Sequence, residues 1–188
     1  NFGEFFNNQI EHASCLILSH TAGLAESKLE DCVQRLRALN TTAPIVTTDW
    51  EQLSGEQLLA AMNQTETLDS ALKNLLEETE HEHEHDYEHE HHHHDHDADE
   101  VFTSWGVETA RKFTKAEVEH ALTELDTGNY GMILRSKGIV DGGADGWLEF
   151  DYVPGEWEVR ARGADVGGKL VVIGSKLNEK AIAELFGC

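Results

Sequence analysis

Basic residues are scarce in this 188-residue chain: 14 Lys and Arg stand against 36 Asp and Glu, a formal net charge of −22. That deficit argues against nucleic acid and anionic membrane as partners, because both demand clustered Lys and Arg. Cysteine is as sparse. Cys15, Cys32 and Cys188 form an odd, widely spaced set with no CxxC step. Neither a disulfide framework nor a thiolate zinc site can be read from them, and they fit a reducing compartment. No apolar run approaches the roughly 20 residues of a membrane span, and no basic-then-apolar segment opens the chain as a signal peptide would. No Ser-His-Asp, Cys-His or paired-carboxylate constellation has usable spacing for independent catalysis. The expectation is a cytoplasmic chain with cationic rather than anionic partners.

The hydrophobic fraction of 39% is enough for real cores. Phe2, Phe5, Phe6, Ile10 and Ala13 recur at helical spacing, and Ser14 to Ser19 reads as a short buried strand. Leu29, Cys32, Val33, Leu36 and Leu39 mark a second helix ending near Asn40, and Ala43 to Thr48 a second strand reached through Pro44. Strand, helix, strand implies a parallel pair. Helices follow from Trp50 to Leu76, with a break near Gly55 and with Asp69 and Lys73 placed for an i,i+4 pair. Two parallel strands do not make a free-standing core, since such strands are normally buried within a larger sheet. Together with the start at Asn1, this leads us to expect the later part of something longer. Beyond residue 100, Val101 to Val107 resembles a strand and Thr114 to Leu125 an amphipathic helix, with Thr114 and Glu117 spaced as a capping box. Four further apolar runs, Gly131 to Val140, Trp147 to Val153, Trp157 to Arg162 and Leu170 to Ile173, alternate with Asp/Gly/Pro turns before a last helix from Asn178. The fold expected is an α/β remnant with a parallel sheet over 1–76 and an α+β domain over 101–188, joined by a His/acid-rich disordered linker over 77–100.

That linker holds 12 of the acidic residues and no Lys or Arg, and nine of the twelve histidines fall between His81 and His96. The candidate metal ligands are His81, His83, His85, His89, His91, His92, His93, His94 and His96. Imidazole is the usual ligand for zinc, nickel, cobalt and copper, and an H-x-H step in extended backbone puts both rings on one side. The interleaved carboxylates accept from the free ring N–H or ligate themselves. Because so many acids repel one another, a divalent cation should order and compact the segment. The sequence does not encode the metal: copper would win by affinity alone, so supply must decide among copper, zinc, cobalt and nickel. A solvated acidic spacer is the bland alternative. A purification tag is not, since the run is internal and mixed with Glu and Asp. Neutral imidazole is required, so binding should collapse below about pH 6, under the ordinary histidine pKa of about 6.5.

Phe2-Gly-Glu-Phe-Phe-Asn-Asn-Gln-Ile-Glu-His-Ala13, Leu16-Ile-Leu-Ser-His-Thr21, Leu39-Asn40 and Ala43-Pro44-Ile45 resemble the latter half of a CobW-type P-loop GTPase domain. Phe102-Thr-Ser-Trp105, Leu134-Arg-Ser-Lys-Gly138, Val172-Ile-Gly174 and the closing Leu177-Asn178 helix resemble the CobW C-terminal domain. A histidine-rich linker between the two is typical of the family. The resemblance implies a metallochaperone or insertase, in which nucleotide state controls delivery of zinc, cobalt or a related ion to a metal-requiring client protein.

The departures carry as much information. The family's Gly-rich P-loop, acidic magnesium motif and cysteine metal motif are not in this sequence. The chain alone is therefore expected to be inactive as a hydrolase, with GTP relevant only beside a complete GTPase domain supplied by a parent chain or partner. Gly163-Ala-Asp-Val-Gly-Gly-Lys-Leu170 imitates GxxxxGK but ends in Leu and lies between strands, so it reads as a hairpin turn. The family's guanine-reading step falls at Ser19-His20-Thr21-Ala22, making Ser19, His20 and Thr21 the candidate nucleotide contacts. Ala22 has no carboxylate to accept the base's protons. Asp141 to Gly146 lacks the alternating ligands of a calcium loop and reads as a turn. His12 and His120 read as surface or packed helix residues rather than ligands, and Trp105, Trp147 and Trp157 as core or rim. Arg135, Lys137, Arg160 and Arg162 suggest a basic strip able to dock an acidic partner or the linker. The leading expectation is a metal-binding protein of the metallochaperone type; the alternatives are a nucleotide-binding GTPase fragment and an interaction module with an acidic spacer.

Overall fold

The computed structural model describes residues 2–21, 23–63, 67–85 and 102–188. Its first elements are α1 (Phe2–Glu11), β1 (Leu16–Ile17), α2 (Glu26–Leu39) and β2 (Ile45–Val46). β1 and β2 pair in parallel, Leu16 with Ile45 and Ile17 with Val46, as the strand, helix, strand order implied. Asn40 joins these pieces. Its Nδ2 donates to the carbonyls of Ile10 and Ala13 at 2.8 and 2.9 Å, while its Oδ1 accepts from the amides of Thr42 and Ala43 at 3.1 and 2.8 Å. One buried amide thus ends α1, ends α2 and starts β2 with every strong hydrogen-bonding position used.

β1 corrects the expectation of a buried six-residue strand. Only Leu16 and Ile17 are extended, and Ile17 is 48% exposed. Among the described residues β1 has a partner only on its β2 side, so the apolar run from Cys15 to Leu18 lacks the second neighbour and the cover that would bury it. A 3-10 turn at Trp50–Gln52 and α3 (Gly55–Met62) follow. Ser54 and Gln57 form a full capping box that begins α3, which places the break at Gly55.

α4 (Leu68–His85) precedes a five-stranded antiparallel sheet of β3 (Thr103–Thr109), β4 (Met132–Asp141), β5 (Trp147–Val153), β6 (Glu156–Arg162) and β7 (Gly168–Ser175). The strand order is β3-β7-β4-β5-β6. α5 (Lys115–Leu125) lies between β3 and β4 in sequence, with the expected Thr114–Glu117 capping box, and α6 (Glu179–Phe186) closes the chain behind its Asn178 cap. Side chains alternate along a strand, so neighbouring residues of β7 serve opposite faces. Leu170 and Val172 join the core made with Leu122, Leu125, Ile182 and Phe186 of α5 and α6. Val171 and Ile173 face Leu68, Leu72, Leu75 and Leu76 of α4. β7 is therefore covered on both sides, which is why its sequence is an unbroken apolar run. Gly106 on β3 permits the close approach of α4, since a Cβ there would meet the methyls of Leu68 and Leu72 at 3.2 and 3.3 Å.

The segment that imitates a phosphate loop is not a hairpin, because β5 and β4 separate β6 from β7 in the sheet. It crosses the sheet and docks onto the first elements. The amides of Thr47 and Thr48 donate to the carbonyl of Val166 at 2.9 and 3.3 Å, and Thr48 Oγ1 donates to the carbonyl of Asp165. The Val166 side chain joins Val46 and Ala61 in a small core. Gly168 and Lys169 already belong to β7. Three cations of the basic strip are ion-paired. Arg160 meets Glu149, Asp151 and Glu158 at 3.0 to 3.3 Å, Lys137 meets Asp151 at 3.7 Å, and Arg162 meets Asp165 at 3.2 Å. Neighbouring acids thus pair with these three cations.

Candidate metal segment and strand-end cleft

α4 begins where Thr67 and Ser70 exchange hydrogen bonds: the Thr67 amide donates to Ser70 Oγ at 2.9 Å and the Ser70 amide to Thr67 Oγ1 at 3.2 Å. Its leucines then recur at helical spacing and bury on β7 and β3. Lys73 pairs on the outer face with Glu77 at 3.9 Å, rather than back to Asp69 as its spacing allowed. Thr79 is still buried, its hydroxyl donating to the Leu75 carbonyl at 2.7 Å. The helix runs on to His85, and with it the first three histidines of the run.

This revises the expected geometry of that stretch. His81, His83 and His85 stand on helical backbone rather than extended backbone, because a helix already held by its leucines propagates at little cost through Glu residues. In a helix, residues two apart stand about 200° apart around the axis and those four apart stand one turn apart. The pairing by spacing moves from His81 with His83 to His81 with His85. His89, His91, His92, His93, His94 and His96 lie outside the described residues. Among the described residues no group of three or more His, Cys, Asp or Glu is arranged to hold a metal ion. Imidazole as a residue type remains a donor that suits a borderline divalent ion. The cysteines add nothing to it. All three are free and half-buried, and burial pushes the Cys15 and Cys188 thiols up, away from the thiolate that binds metal.

The second site is a cleft of about 240 Å³ beyond the carboxyl ends of β1 and β2, the region where open α/β sheets bind ligands. Thr21, Thr47, Thr48 and Asp49 line its near side, and Lys112, Asp141 and Trp147 its far side. Of the three expected nucleotide contacts, Thr21 reaches this cleft, whereas Ser19 and His20 are exposed in the loop beside it, with His20 at a φ of 58°. Ala22 lies outside the described residues. Sequence reading missed the carboxylates here, because it looked for one only at Ala22. Glu26 and Asp49 also line the cleft, and the place of Asp49 just after β2 was the signal available. Lys112 meets Asp141 at 3.5 Å on the far wall.

Two further contacts hold α2 to the sheet beside this cleft. Glu30 accepts from the Ala110 amide at 2.7 Å, and Arg37 forms an ion pair with Glu108. His12 Nδ1 lies 3.1 Å from the Asn8 carbonyl and His120 is exposed on α5, and neither lines the cleft. Trp147 is buried and Trp105 and Trp157 pack against the core. Asp141 to Gly146 is the expected turn, containing a short 3-10 turn at Gly143–Asp145. No described helix is long and apolar enough to cross a membrane.

Residues 102–188 match the family described as cobalamin synthesis protein cobW C-terminal domain. Two solved structures, the Zn(II)-bound YjiA GTPase from E. coli and a Zn(II)-bound triple mutant of YjiA GTPase, resemble the chain at TM-scores of 0.41 and 0.39, with 20% identity each. Each likeness covers 96% of this chain and 53% of the other, so the chain spans about half the length of the structures it matches. No curated protein matches the chain.

Proposed function

We propose that this chain is a transition-metal binding protein of the metallochaperone type, a reading supported by the match of residues 102–188 to the family described as cobalamin synthesis protein cobW C-terminal domain. One observation carries the reading: nine imidazoles lie within sixteen residues, the first three of them on the helix whose leucines pack on the five-stranded sheet. Three functional segments follow, with 1–76 the end of a GTPase-like unit, 77–100 the metal segment and 101–188 the client-facing domain. Zinc, cobalt or nickel is the cargo and a metal-requiring client protein the recipient, in the cytoplasm. Imidazole holds the ion while neutral and releases it on protonation, and neighbouring carboxylates receive the ring N–H. GTP enters only where a complete GTPase domain accompanies this chain.

Calorimetric titration of the metal-free chain with zinc, cobalt and nickel, beside a variant with the nine histidines changed to Asn, tests the reading. Tight uptake of more than one ion that disappears in the variant is expected. Uptake that survives the change would send the search for the metal site elsewhere. The nucleotide-binding reading is favoured by the cleft beyond β1 and β2, and it predicts that Asp49→Asn weakens binding of a nucleoside or nucleotide without changing zinc uptake. Nucleotide turnover by this chain alone would contradict the leading reading, in which the chain is inactive as a hydrolase without a complete GTPase domain.

A further inference from the structure

The two edges of the five-stranded sheet differ in chemistry. β6 carries Glu156, Glu158, Arg160 and Arg162 at alternate positions, the kind of charged guard that keeps an edge from pairing with other chains. β3 reads Thr-Ser-Trp-Gly-Val-Glu-Thr, with no Lys, Arg or Pro, and its one charge, Glu108, forms an ion pair with Arg37 of α2. Among the described residues β3 pairs only with β7. The strand is nonetheless held on both faces, with Trp105 and Val107 against the core and Gly106 against the methyls of Leu68 and Leu72 of α4.

Just past β3 the Ala110 amide is turned to α2, where Glu30 accepts it at 2.7 Å. Alternation along an antiparallel strand turns the backbone groups of Ser104, Gly106 and Glu108 the same way, away from β7. The register agrees, because the Val171 carbonyl, opposite Gly106, is turned to β4 and accepts from Ser136 Oγ at 2.8 Å. Among the described residues no strand completes a ladder with these outward groups. Gly106, Val107 and Glu108 open onto a groove of about 310 Å³ whose far wall is α2. Of the charged residues lining it, Glu30, Asp69 and Glu108 are acids and Arg37 is the cation.

We propose that the edge of β3 docks an extended, basic segment of a partner protein, which adds as a sixth strand and sets Lys or Arg side chains over the carboxylates of the groove. Backbone pairing supplies the affinity and charge supplies the selection. The net charge of −22 opposes a second copy of the chain at this edge.

Amide hydrogen exchange of the full chain, followed residue by residue with a capped heptapeptide of alternating Lys and Val, tests the site. At peptide concentrations about ten times its Kd, exchange at Ser104, Gly106 and Glu108 is expected to slow by about tenfold. The same peptide N-methylated at alternate residues keeps its charge but cannot donate along the edge, and an alternating Glu and Val peptide keeps the donors but reverses the charge; neither should slow these amides. Ser104→Pro removes an amide that the β3–β7 ladder does not use, so the fold should persist while the slowing at Gly106 and Glu108 is lost. No slowing with the Lys peptide, equal slowing with the N-methylated or the Glu peptide, or slowing that survives Ser104→Pro would each overturn the proposal. Protection that rises with protein concentration alone would put a second copy at the edge, and full protection before any peptide is added would put another part of the chain there; either result would overturn it as well.

Discussion

Asp126 ends α5, and its Oδ1 accepts from the hydroxyl of Tyr152 at 2.5 Å and from the amide of Gly155 at 3.0 Å. One carboxylate thus ties a helix end to the last residues of β5 and to the turn after it. Burial, then the Asp126 carboxylate, raises the Tyr152 hydroxyl far above its usual range, so it donates at every accessible pH. Tyr152→Phe is expected to cost about 1–2 kcal/mol in urea unfolding, the worth of a hydrogen bond to a charged group at a part-buried site. Glu117 gives a pH-dependent case. The Thr114 amide, then the Thr114 hydroxyl, hold its carboxyl below the usual range, with Arg111 beside it. A depressed folded pKa stabilises at neutral pH, and the contribution is lost as pH falls through the folded value. Glu117→Gln keeps the box geometry and removes the charge, so its deficit in melting temperature at pH 7 should shrink toward zero on acidification below the ordinary Glu pKa of about 4.3. Gly138 sits against Phe150, whose ring a Cβ would overlap. Gly138→Ala should destabilise the sheet by about 1–3 kcal/mol through overpacking, measured the same way.

The least sequence-like contact lies at the scale of elements. Residues 163–167 leave β6 and lodge Val166 in a core with Val46 and Ala61, while its carbonyl accepts two amides from beyond β2. Val166→Ala is expected to cost about 1–2 kcal/mol and to speed exchange of the Thr47 and Thr48 amides. Local protection there that is unchanged would mean the segment does not support the first elements. This docking explains what the sequence could and could not announce. The antiparallel strands were legible because apolar alternation and Asp/Gly/Pro turns are local signals, and α5 because Thr114 and Glu117 are three residues apart. The order of β6 and β7 was not, since strand neighbours are set by long-range pairing that no local spacing records. β1 was overread for the same reason: Cys15 to Leu18 is apolar enough to be buried, but burial needs neighbours on both sides. The histidine run was visible as composition, whereas its first turn became helical only through leucines up to seventeen residues earlier.

For the whole molecule, the decisive quantity is where the charge lies. Twelve carboxylates and nine imidazoles share residues 77–100 with no Lys or Arg, while the sheet domain balances its cations with nearby acids. At pH 8 the imidazoles are neutral and the twelve carboxylates repel over a Debye length of about 8 Å at physiological salt. At pH 5 the carboxylates remain mostly ionised while the imidazoles carry protons, so nine positive charges nearly offset twelve negative ones. Two different cations should therefore relieve the same repulsion, a metal at high pH and the proton at low pH, and they should compete. Small-angle scattering across this range should find that the metal-free chain contracts on acidification, that zinc contracts it at pH 8, and that zinc has no effect at pH 5. Added monovalent salt should reproduce part of the contraction at pH 8 by screening alone, and the nine-histidine-to-Asn variant should keep that salt response while losing the responses to zinc and to pH 5. A variant that still contracts with zinc would place the relevant cation on the carboxylates and remove the imidazoles from the account.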